Sequence, residues 1–189
     1  MNKLLHPLIL LTLTVVILTG CKKSSGGDSD APVSDYYITA TVNGKGWSAN
    51  VVSPTLHGAC VGIISSSGGV SLAVLAGVRA QGKDSTALAL VFPANITLNK
   101  QTNFAANLYT AGVYVDGTTG YNSDPANKGS GSLTITSFDQ TAKVIEGTFS
   151  GAFGLVSGGS TTVQVTNGKF KCIYTTQANA NPFPPNVKF

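Results

Sequence analysis

An all-β domain, an antiparallel β-sandwich or barrel-like closure of about ten strands, is the fold class this sequence predicts. Three observations lead there. Charged residues make up only 11% of the chain, against about 25% in an average soluble protein, with Gly, Ser, Thr, Asn and Val in their place. Exposed helix faces ordinarily need Lys and Glu, so this composition favours strands and tight turns. Short apolar runs alternate with polar residues and are separated by Gly-, Asn- and Ser-rich breaks, the period of half-buried strands. No segment carries the spacing of an amphipathic helix.

The elements follow in order. Tyr36 to Val42 (YYITATV) reads as a strand, Asn43-Gly44 as a tight turn, and Trp47 to Val52 as the returning strand. Residues 57–65 (HGACVGIIS) form a further strand-like run closed by SSSGG. Val70 to Arg79 and Thr86 to Phe92 flank the polar turn QGKDS. Their apolar runs are nearly continuous, which predicts strands buried on both faces. Residues 94–107 read as irregular, 108–115 (LYTAGVYV) as strand, and 116–131 (DGTTGYNSDPANKGSG) as a long surface loop. Ser132 to Thr136 alternates, DQTAK turns, and Val144 to Phe153 returns as the clearest hairpin. SGGS then turns into Thr161 to Thr166, and Asn167-Gly168 leads into Lys169 to Thr175. The Pro- and Asn-rich residues 177–189 read as an extended tail, leaving 36–176 as the domain.

The N-terminus supplies an address. Met1-Asn2-Lys3 is basic, and Leu8 to Leu18 is apolar apart from Thr12 and Thr14. That run is too short for a bilayer core, which needs about 20 residues. A basic start, a short apolar core and small residues at its end are the pattern of a secretory signal peptide. Leu18-Thr19-Gly20-Cys21 resembles a bacterial lipobox, which implies cleavage after residue 20 and lipidation of Cys21. The mature chain then has 169 residues (189 − 20). A single acyl chain anchors only marginally, whereas the three chains the pattern implies hold for good. Lys22 stands where many inner-membrane lipoproteins carry aspartate, so the expected location is the outer membrane, with periplasmic face or cell surface undecided. Residues 21–35 have little to bury and read as a flexible linker, whose twelve residues from Lys22 to Val33 reach roughly 20 Å. Asp28 and Asp30 lie close to the lipid, a thin version of the acidic cluster of surface-exported lipoproteins.

YITATVNGKGWSA, GSLTITSFDQTAKVIEGTFSGAF and VTNGKFK, in this order, look like an uncharacterised family of small Bacteroidota lipoproteins. The likeness spans most of residues 36–174. It implies a lipobox followed by one all-β domain of unknown function, and it carries no activity. The tail beyond Thr175 is longer than the family pattern.

The chemistry available is sparse. Past residue 20 the charges are eleven basic residues (12 less Lys3) against eight acidic, with no basic helix or stripe, so nucleic acid is not an expected partner. His57 is the one histidine of the mature chain and reads as a half-buried strand residue. No G-x-S-x-G turn accompanies it. A glycosidase pair would come from Asp84, Asp116, Asp124, Asp139 and Glu146, most of them in turns where aspartate serves the backbone. One His and two distant Cys are too few for zinc, and Asp116 and Asp124 fit no calcium loop. GKGWSA lacks the helix a dinucleotide fingerprint must open, and its Gly-Trp lacks the spacing of the lipocalin signature. No cofactor is expected.

Cys60 and Cys172 remain for either a disulfide or two buried thiols, and in FKCIY Cys172 shares a face with Phe170 and Tyr174. Tyr109 and Tyr114 read as core, and Tyr121, in the polar loop, as the exposed aromatic best suited to a glycan or protein ligand. The expected function is a non-catalytic binding or scaffold module attached to the membrane through lipid on Cys21. An envelope hydrolase acting on glycans or peptides, and a lipocalin-like small-ligand carrier, are the alternatives.

Overall fold

The computed structural model describes residues 33–51, 61–67, 70–81, 84–105 and 109–178. Residues 1–32, which hold the expected signal peptide, Cys21 and most of the expected linker, lie outside the described residues, as do His57, Cys60 and residues 179–189. The described chain is all-β. Its strands are β1 (Val33–Val42), β2 (Lys45–Val51), β3 (Val61–Ser67), β4 (Val70–Gln81), β5 (Asp84–Pro93) and β6 (Thr102–Asn103). β7 (Ala111–Asp116), β8 (Thr119–Asn122), β9 (Ser130–Asp139), β10 (Val144–Leu155) and β11 (Thr162–Ala178) follow, and all belong to one sheet.

Two long strands organise that sheet. β10 takes one edge of β11, while β1 takes the other edge along its first half and β3 along its second. Ile173 shows the arrangement, because it faces Val144 of β10 and Val61 of β3 at once. β10 is shared in the same way, between β9 and then β8 on the edge away from β11. The pairings therefore run in a closed circuit through β11, β3, β4, β5, β7, β8 and β10. β1–β2 and β9–β6 branch from it. An odd number of strands cannot alternate direction all the way round a circuit, and the parallel β3–β11 pair resolves the mismatch. The sheet is thus mixed but mostly antiparallel, with β3–β11 its one parallel pairing among the described residues.

Alternation decides which side chains enter the core. Leu88, Leu90 and Phe92 of β5, Leu133 and Ile135 of β9, and Ile145, Phe149 and Phe153 of β10 are buried on the inward face. The outward residues of β4 and β5, such as Val74, Ala76, Ala89 and Val91, are half-buried, and Val78 is 43% exposed. The two-sided burial expected of these runs is thus only partial, since side chains on a pleated face shield one another without a layer above them.

Two sequence expectations are corrected within β10–β11 and at 116–131. Asn167-Gly168 does not interrupt the last strand. Asn167 takes a left-handed backbone (φ 53°) and forms a one-residue bulge against both β1 and β10. The bulge changes the inward set from Val163 and Val165 to Phe170, Cys172 and Tyr174. Without it, Lys169 and Lys171 would point into the core. Gly168 is glycine for a separate reason: the Phe149 ring and carbonyl fill the space of a Cβ.

The segment 116–131 is not an open loop. Gly117, at φ 57°, turns β7 into β8 at the first central position of a two-residue hairpin, where a type II′ turn places glycine. Asp124 then caps a short 3-10 turn, Pro125–Asn127, by accepting from the Ala126 N–H at 2.9 Å. At the other boundary, β11 carries the domain past residue 176 to Ala178.

Candidate ligand-binding site

The inner face of β4, β5 and β7 ends in a polar row. Gly77, Leu88 and Tyr114 stand side by side across these strands, and the next inward row is Arg79, Thr86 and Asp116. The core opens at this row, so charged groups can be solvated there while their neighbours stay buried. The β1–β2 hairpin folds over it. Asn43 and Gly44 both have positive φ (48° and 79°), the geometry of the type I′ turn that Asn-Gly favours. The Asn43 side chain accepts from the Gln164 N–H at 2.9 Å and ties the turn to β11.

β2 then carries Trp47 back across the opening. Its indole N–H donates to the Thr86 hydroxyl oxygen at 2.8 Å, and the residue is 4% exposed. Arg79 Nη1 lies 3.5 Å from the Gly46 carbonyl oxygen, at the limit of a hydrogen bond. Between these groups is a cavity of about 150 Å³, lined by Val42, Lys45, Trp47, Arg79, Thr86 and Tyr114. Trp47 is the only tryptophan of the chain and Arg79 its only arginine. Both stand in this one cavity.

No family model, curated protein or solved structure matches the chain.

Tyr114 is buried and its phenol is held above the usual value of 10.0, by burial first and by the Asp116 carboxylate second, with Arg79 opposing. Burial also raises Tyr174, with Asp139 adding to it. A phenol whose pKa is higher folded than unfolded stabilises the fold fully below pH 10 and loses that contribution as pH climbs towards the folded value. Stability is therefore expected to fall above pH 10, measured by denaturant midpoints at stepped pH. Tyr114→Phe should flatten that fall; an unchanged slope would contradict it.

The remaining sequence candidates separate. Tyr121 stands on β8 opposite Tyr114, with ring centroids 6.2 Å apart, and packs half-buried against the core. It is not an exposed platform in a loop. The expectations for the other two tyrosines divide: Tyr114 is core, but Tyr109 is 48% exposed. Asp139 accepts from the Thr141 and Ala142 N–H groups at 2.8 Å, and Asp124 is a cap, so both serve the backbone. Glu146 pairs with Lys171 at 3.4 Å across β10–β11, a half-exposed pair worth little. Among the described residues no group of His, Cys, Asp and Glu is arranged to hold a metal ion.

Cys172 is fully buried and disulfide-bonded, and its partner lies outside the described residues. Its Sγ rests 3.9 Å from the Tyr37 carbonyl oxygen, a packing contact, since a disulfide sulfur has no proton to donate. Sequence reasoning places Arg79 only at the end of a strand and gives it no role in a site. Its signal is a solitary arginine closing the aliphatic run VSLAVLAGVRA.

Proposed function

We propose that this chain is a lipid-anchored envelope protein whose all-β domain binds a small ligand without transforming it. The cavity of Trp47 and Arg79 carries the reading. It is the place where a buried aromatic wall, two cations and two hydroxyl groups converge, the mixture that ligand sites typically show. The circuit of pairings supports a barrel-like closure, open at this end. A cavity of this size favours a small ligand over the extended glycan that a row of exposed aromatic rings would suit.

The anchor rests on Leu18-Thr19-Gly20-Cys21, and membership in the Bacteroidota lipoprotein family rests on the three segments quoted above. Lys22 favours the outer membrane. Cells fed radioactive palmitate should label the wild-type chain in the membrane fraction. Cys21→Ala should lose the label and move to the soluble fraction. Label persisting on the variant would remove the anchor. For binding, a small-molecule extract of the envelope should shift the emission of Trp47 in the purified lipoprotein; an emission that no extract fraction moves would remove the binding reading.

A further inference from the structure

The geometry points to a small monocarboxylate as the ligand of the Trp47–Arg79 cavity, an inference that rests on the binding reading above. A guanidinium offers five donors in a planar fork that matches a carboxylate edge to edge. Arg79 uses one of them, in the 3.5 Å contact to Gly46, and makes no ion pair among the described residues. It is only partly buried, so water can solvate it, and a carboxylate replaces that water with two charge-assisted bonds. Lys45 adds a second, exposed positive charge at the rim.

The neutral groups agree. Thr86 Oγ already accepts the Trp47 indole proton, which leaves its own hydroxyl proton for another acceptor. Tyr114 brings a second hydroxyl, protonated at neutral pH. Both therefore favour a ligand rich in acceptors. Trp47, Tyr114 and Val42 add apolar surface to the lining, which suits a short hydrocarbon body beside the anion.

Charge and size narrow the class. Asp116 stands in the same row as Arg79 and Thr86, so a carboxylate near the opening offsets part of the positive charge of Arg79 and Lys45 and favours a ligand with a single negative charge. A phosphate dianion would meet that carboxylate as well. The volume of about 150 Å³ is well under the ~300 Å³ of a drug-sized pocket. A compact acid fits, either free or as the terminal group of something larger.

The test uses the detergent-solubilised full-length lipoprotein, with Trp47, the sole tryptophan, as the reporter. Butyrate and benzoate are titrated against their neutral amides and against inorganic phosphate. Expected are saturable emission shifts with one or both acids, at least tenfold weaker binding of the matched amides, and weaker binding in high salt. Arg79→Gln should weaken the acids about tenfold or more while leaving the thermal midpoint within a few degrees of wild type. Arg79→Lys should restore only part of the affinity, because an ammonium lacks the fork. Amides binding as well as acids, or phosphate binding more tightly, would overturn the carboxylate assignment and leave the binding reading intact. Silence towards every probe, with a shift from the envelope extract, would do the same; silence towards both would end the two together.

Discussion

Replacing Gly112 by alanine is expected to destabilise the domain by about 2–3 kcal/mol, and a second change, Phe153→Leu, to recover part of that loss. Gly112 has ordinary extended backbone, so the matter is space alone. A Cβ there would run into the Phe153 ring, with Cε1 at 3.0 Å and Cε2 at 3.1 Å. Phe153 is fully buried, and its edge meets the Phe104 ring at 6.1 Å and 69°. It cannot swing clear without displacing a second aromatic ring. Leucine is shorter and branched, so it opens room above position 112 at the cost of a void.

Gly147→Ala should cost more, about 3 kcal/mol or above, and should resist the same remedy. Its Cβ would strike the Thr134 carbonyl oxygen on β9 as well as Phe170 Cζ at 2.5 Å. A side chain can be trimmed, but a carbonyl held in the ladder cannot. Phe170→Leu is therefore expected to rescue little. Urea midpoints of the singles and doubles give the coupling energies. Equal rescue at both positions, or a loss under about 1 kcal/mol for either alanine, would contradict the packing described.

The second large effect concerns Cys172. Reducing the protein, or replacing Cys172 by alanine, should lower stability by about 3–5 kcal/mol. If Cys60 is the partner, the bridge closes a loop of roughly a hundred residues, worth about 4.7 kcal/mol in the chain-entropy description. Cys172 also fills a fully buried position beside β1, so alanine would leave a void in addition. Non-reducing peptide mapping should join the Cys172 peptide to that of Cys60. A link to Cys21 would leave no thiol for lipid and would overturn the anchor too.

Much of the sheet is legible because its cues are local. SLTIT, GTFSGAF and YITATV alternate as half-buried strands must, and Asn43-Gly44 closes a hairpin. Asn167-Gly168 is the same dipeptide with another outcome. There the chain does not reverse, because β1 and β10 hold both edges of β11 and leave the left-handed residue only a bulge to make. β8 escapes a sequence reading since its TGYN sequence has no alternation, and its strand character comes from β7 and the end of β10 beside it. For the carboxylates, turn chemistry is guide enough for Asp124 and Asp139. The cavity is not readable. Trp47 and Arg79 lie on β2 and β4, which are linked through β1, β11 and β3, strands far apart along the chain.

β11 is the last described strand in the chain, yet it borders β1, β3 and β10. β1 and β3 therefore gain their shared neighbour only through pairings with residues far along the chain. Such closure slows folding, as pairings distant along the chain generally do.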